Sequence, residues 1–125
     1  MAGDRVSGVR VVCATCGAEF LLPAAHHRAG ARIRCPDCGV PFRAYDPAHA
    51  DAFAPRIERW AAGRPGGAAS VRESRAAGRF FAEHGASLTA EFADVVAAGA
   101  TDPAALGAFQ AALAALLGPG APLFG

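Results

Sequence analysis

The chain has no lysine. All twelve basic residues are arginine, set against eleven carboxylates, for a formal net charge of +1 over 125 residues. A balance this close to zero implies no global electrostatic pull toward nucleic acid or membrane. No run of about 18 apolar residues occurs without Gly or Pro breaks, the length a spanning helix requires. The nearest approach, Ala104 to Leu117, has Gly107 and Gln110 inside it. A helix of that length reaches about 21 Å against a hydrocarbon core of ~30 Å. The first ten residues carry Asp4, Arg5 and Arg10, and the apolar core of roughly 7–15 residues that marks a secretory signal is missing. The expectation is a soluble, cytoplasmic protein with no membrane partner. The length allows one ordinary domain or two very small ones and excludes a TIM barrel or a full dinucleotide-binding enzyme. Abundant Ala, Gly and Arg read as the coding bias of a GC-rich genome, so their frequency carries no weight.

Catalytic signatures are missing too. There is no Ser-His-Asp set, nucleophile elbow or phosphate loop. The Gly-rich places, 63–67 and 118–120, have neither the lysine nor the strand–helix setting that phosphate binding needs. They read as a linker and a helix stop, and no enzyme is expected.

What is present is concentrated between Val9 and Tyr45. Cys13-Ala14-Thr15-Cys16-Gly17 and Cys35-Pro36-Asp37-Cys38-Gly39 form a C-x2-C-x18-C-x2-C pattern, within the spacing window of a zinc site. In a cytoplasmic chain four cysteines point to metal or redox chemistry before disulfides. Two intervening residues let a tight turn aim both sulfurs at one ion. The glycine after each pair permits the positive φ that closes the turn, and Pro36 presets the second turn. Four thiolates complete a tetrahedral shell around one structural Zn²⁺ and leave no position for water. Val9, Val11 and Val12 lead into the first turn and Phe20-Leu21-Leu22 leaves it; Ile33 enters the second and Val40-Pro41-Phe42 leaves it. Each turn therefore joins two short antiparallel strands, with Pro23 and residues 24–30 connecting the hairpins. So small a unit has too little core of its own. Bound zinc supplies roughly 10–16 kcal/mol toward folding it.

Val12-Cys13-x-x-Cys16-Gly17-Ala18-x-Phe20, the Pro23 loop, and Ile33-Arg34-Cys35-Pro36-x-Cys38-Gly39-x-x-Phe42 resemble the small prokaryotic zinc-ribbon domain labelled "zinc finger/thioredoxin putative domain". The resemblance covers residues 9–45, about a third of the chain. It implies a ribbon with Cys13, Cys16, Cys35 and Cys38 as metal ligands. That family is an N-terminal module on varied proteins, so it implies fold and metal rather than an activity. His26-His27, in a somewhat basic loop, departs from it. Thioredoxin-type redox catalysis requires a C-x-x-C at a helix start, whereas both pairs here run into Gly and an extended segment. Iron in place of zinc is chemically possible. A c-type haem is excluded by Gly17 and Gly39. His26 and His27 read as an exposed loop, and His49 and His84 as surface residues.

The remainder reads as helix. Asp46-Pro47 is a start signal, with a short helix to Phe53, a restart at Pro55 to Ala62, and a Gly/Pro linker completing residues 46–69. Ser70-x-x-Glu73 matches a capping box opening 71–84, closed by Gly85, with Gly78 as an internal oddity. Ser87 is placed to cap 88–98. Asp102-Pro103 opens a third helix to Leu117, with residues 118–125 as a tail. The fold class is a small α+β protein: a zinc ribbon (9–45) followed by an all-α helical hairpin or three-helix unit (70–117).

Nothing from Pro103 to Gly125 is charged. A helix with almost no polar face is buried on all sides or packed on a partner, so residues 103–117 are read as a self-association or partner interface, with burial inside an Ala-rich bundle as the other solution. The functional expectation is a non-enzymatic interaction or regulatory protein whose ribbon and helices bind a protein partner. Nucleic-acid binding is the alternative, through Arg28, Arg32, Arg34 and Arg43 beside Phe20, Phe42 and Tyr45. A thiol redox sensor is the third reading.

Overall fold

The computed structural model describes residues 8–13, 15–23 and 31–120. His26, His27, Arg28, the rest of the connecting loop and the end of the tail lie outside the described residues. The architecture is a small α+β fold: two antiparallel strand pairs, then helices.

β1 (Gly8–Val12) pairs with β2 (Glu19–Pro23), and β3 (Arg32–Arg34) pairs with β4 (Pro41–Arg43). The registers place Val11 opposite Phe20 and Ile33 opposite Phe42. Side chains alternate across a strand, so these four residues turn inward while Arg10, Leu21, Arg32 and Arg43 turn out. Phe20 and Phe42 meet edge to face, ring centroids 6.1 Å apart, which closes one hairpin on the other.

α1 (Pro47–Ala62) begins as the sequence predicts, Asp46 accepting a hydrogen bond from the Ala48 amide with Pro47 in the first turn. It then runs unbroken through Pro55. Pro55 has no N–H to donate back along the helix. The helix continues because Phe53 on one side of it and Ile57, Trp60 and Ala61 on the other all pack into the helical core. Residues 47–62 are thus part of that core.

The next two expected helices have different boundaries. α2 spans Gly67–Ala76, with Ser70 inside it and no side-chain cap. It ends at Gly78, φ +77°, where the Arg79 amide bonds to the Ser74 carbonyl and the Gly78 amide to that of Arg75. This is the bond pattern of a Schellman stop; Gly78 is the terminator, not an interior oddity. α3 (Phe80–Glu91) passes through Gly85 and Ser87. The Ser87 hydroxyl accepts from Trp60 Nε1 at 3.0 Å, a tertiary bond, so it caps nothing. The helix breaks at fully buried Phe92, and α4 (Ala93–Ala98) follows.

α5 (Pro103–Leu117) matches its sequence expectation at both ends: Asp102 accepts from the Ala105 amide, and Gly118 ends it. Phe109, Ala112, Leu113 and Leu117 enter the helical core with Ile57, Trp60, Val71, Leu88 and Phe92. Ala108 and Ala111 pack with Val11 and Tyr45 of the ribbon. This central placement accounts for the missing polar face by the second of the two solutions the sequence offers: this chain itself covers most of the helix, from two directions. It is still too short, and so is every other described helix, to cross a membrane.

The seam between ribbon and helices is close. A Cβ at Gly107 would lie 2.8 Å from the carbonyl oxygen of Arg43. Gly107→Ala gains about 1 kcal/mol of helix propensity, but overpacking against a backbone atom costs about 1–3 kcal/mol. Net destabilisation is expected, read as a lower urea midpoint. A midpoint above that of the unsubstituted chain would refute the close seam.

Candidate metal centre

The two hairpin tips are built alike. In the first, the Cys13 amide bonds to the Ala18 carbonyl (2.9 Å) and the Gly17 amide to the Cys13 carbonyl (2.8 Å). In the second, the Cys35 amide bonds to the Val40 carbonyl (3.1 Å) and the Gly39 amide to the Cys35 carbonyl (2.9 Å). Gly17 and Gly39 have φ of +77° and +76°, the left-handed conformation that the sequence reading required of them.

The tips face each other. Cys13 and Cys38 sulfurs lie 3.7 Å apart, Cys16 and Cys35 sulfurs 3.6 Å apart. All four Sγ atoms fall within 4.8 Å of one another. A tetrahedral ion at a metal–sulfur distance of about 2.3 Å needs sulfur–sulfur edges of about 3.8 Å. The four cysteines are therefore positioned to bind one metal ion. No cysteine is in a disulfide, and a disulfide would need the sulfurs about 2.0 Å apart. Each short edge joins one tip to the other, so an ion here ties the two strand pairs together.

The thiols of the cluster differ in how readily they ionise. Burial works against the Cys35 thiolate, but the backbone amides of Cys38 and Asp37 outweigh it and bring its pKa down to about 7. The Asp37 amide lies 3.4 Å from that sulfur. At Cys16 the Ala18 backbone favours the thiolate, yet desolvation and the neighbouring thiols of Cys35, Cys13 and Cys38 push it up to about 12. Cys38 is raised as well: there the Val40 backbone favours the thiolate, and desolvation and the thiols of Cys13 and Cys35 outweigh it. One thiolate is readily formed, and its neighbours resist ionising beside it.

Support comes from behind the tips. The Tyr45 hydroxyl accepts from the Val12 amide at 2.7 Å, one residue before Cys13. Tyr45 is 3% exposed, and burial raises its pKa. The nucleic-acid alternative counted Tyr45 among its aromatic platforms; here its ring packs in the seam and its hydroxyl steadies β1. Phe20 and Phe42 are likewise turned toward each other. Cys13 and Cys35 are buried, Cys16 is partly covered and Cys38 is exposed.

Outside this centre the sequence reading missed one residue. His84, expected at the surface, is 6% exposed. Its Nδ1 accepts from Arg64 Nε at 3.4 Å and its ring meets those of Trp60 and Phe80. The helical spacing of Phe80, His84 and Leu88 along one face was the available signal. His49 is exposed as expected.

Compared with protein families, curated proteins and solved structures, the chain matches none.

Proposed function

We propose that the protein is a non-enzymatic interaction or regulatory protein of the prokaryotic zinc-ribbon type, in which one structural Zn²⁺ held by Cys13, Cys16, Cys35 and Cys38 keeps the two hairpins rigid for binding. The observation that carries this is the sulfur quartet, with all four atoms within 4.8 Å. Four sulfurs leave no open coordination position for a substrate or activated water, so the metal's role is architectural. The seam through Val11, Tyr45, Ala108 and Ala111 passes that rigidity to the helices. Zinc-bound thiolates would supply stability here, and the surfaces they orient would supply recognition.

The test is metal content and thiol count on the full chain purified without added metal. About one zinc per chain is expected, with the four thiols reacting only after chelation. Acid should release the metal in step with thiol protonation, because binding requires deprotonated ligands. A metal-free chain with two reversible disulfides would overturn the reading and put thiol redox chemistry in its place.

A further inference from the structure

The two tips of the ribbon are alike in their backbone bonds and unlike in what covers them. A Cβ at Gly39 would meet no atom of a described residue within 4 Å. A Cβ at Gly17 would lie 3.4 Å from the Cβ of Pro119 and 3.6 Å from its Cγ and Cδ. The Pro119 ring therefore rests on the first tip in van der Waals contact. It belongs to the short segment that leaves the end of α5.

The same segment is gripped by α2. The last carbonyls of a helix have no partner within it, and α5 has no basic residue of its own in its last turn. Two arginines of α2 fill the role. Arg72 Nε donates to the Leu116 carbonyl at 3.1 Å, and Arg75 Nε to the Gly118 carbonyl at 2.7 Å. Positive charge is favoured at a helix C-terminus. The Gly118 backbone has φ +92° and ψ 166°, a conformation that is essentially glycine's alone. A Cβ at Gly120 would lie 3.0 Å from Arg75 Cζ, so the chain runs closely past the guanidinium. Arg75 is 6% exposed, and its guanidinium also lies over the Phe80 ring, 5.0 Å from the centroid. A buried charge is costly unless it is hydrogen-bonded, so the Arg75–Gly118 bond resists opening.

We infer that residues 118–120 are a strap that locks the first metal-bearing tip onto the helices, with Arg75 as its anchor and Pro119 as its contact, so that metal retention and order of the strap are linked. This rests on the reading of the sulfur quartet as a metal site and adds two positioning residues to it. Pro119 restrains Gly17, which follows the ligand Cys16 and closes the tip by donating to the Cys13 carbonyl. The second tip carries the exposed Cys38 and has no such cover, so it is the side from which the centre opens. The coupling is reciprocal: by whatever factor the strap tightens metal binding, bound metal tightens the strap.

The test uses the full chain and Zn²⁺, competed against a chromophoric chelator, with amide exchange read in parallel at saturating zinc. Pro119→Gly removes the ring at an exposed position and frees the strap. It should weaken zinc binding about 5-fold, the lower end of typical coupling between sites. Exchange of the Gly17 amide should speed several-fold while that of the Gly39 amide stays unchanged. The two amides make matching bonds, so a general loss of stability would move both together, and the split between them is what a merely structural role would not produce. Arg75→Gln should act in the same direction as Pro119→Gly. Arg79→Gln, just beyond α2 and paired with Glu83 at the surface, should leave both readouts unchanged. In the unsubstituted chain, chelation should speed exchange of the Gly118 amide, which bonds to the Ala114 carbonyl. Unaltered zinc affinity in Pro119→Gly, equal changes at Gly17 and Gly39, or an equal loss in Arg79→Gln overturns the strap, whether or not Arg75→Gln folds. An unsubstituted chain that takes up no zinc refutes the metal reading itself, whereas zinc held equally well with and without the Pro119 ring refutes the strap alone.

Discussion

Replacing Cys35 by serine is expected to release the metal and unfold the ribbon while much of the helical signal survives. Cys35 is buried, its sulfur is 3.6 Å from that of Cys16, and its carbonyl accepts the Gly39 amide that closes the second tip. A serine hydroxyl is a poor ligand for a site built of soft thiolates. Loss of outer-shell support alone weakens metal sites by about 10- to 100-fold, so loss of a ligand should exceed that. The metal supplies roughly 10–16 kcal/mol to such sites, far more than the few inward side chains of two short hairpins can replace. The check is amide exchange. Cys13, Gly17, Cys35 and Gly39 should lose protection, and chelation of the unsubstituted chain should reproduce the pattern. Retained protection at these amides without metal would show that Val11, Phe20, Ile33 and Phe42 hold the ribbon by packing alone.

The second large effect is expected at Phe109→Ala. Phe109 is fully buried at the middle of α5. Its ring centroid lies 4.7 Å from that of Phe92 and 5.6 Å from that of Phe53, so one side chain joins α1, the α3–α4 break and α5. Truncating a buried Phe costs about 3–5 kcal/mol, a large share of the roughly 5–15 kcal/mol that stabilises a typical domain. Denaturant unfolding at saturating metal measures it. Phe81→Ala is the control: Phe81 is 64% exposed, and a change there should stay within about 0.5 kcal/mol. Equal effects at the two positions would refute the placement of Phe109 at the junction of α1, the α3–α4 break and α5.

The metal centre was legible because its determinants are local. Two residues between cysteines, a glycine after each pair and apolar residues on either side specify a turn without reference to the rest of the chain. The same holds for Asp46-Pro47 and Asp102-Pro103, where a side chain reaches an amide two or three residues away. The stretch from Ser70 to Ala98 was not legible in this way. Ser70 and Ser87 have cap chemistry, but one lies inside α2 and the other accepts from Trp60, 27 residues earlier. A cap signal competes with tertiary hydrogen bonds that no local window contains. Pro55 failed as a breaker for the same reason, since packing on both sides of it outweighs one missing backbone bond.

By itself the sequence determined the four-sulfur site, the two hairpins that carry it, and a helical remainder ending in an uncharged helix at 103–117. Short-range geometry suffices for each. Only the tertiary structure decided what covers that helix, because burial depends on residues distant in the chain: Ile57 and Leu88 on one side, Val11 and Tyr45 on the other. It also decided that Tyr45 is a buried clamp, which follows from how β4 packs on α5 and not from the order of residues along the chain.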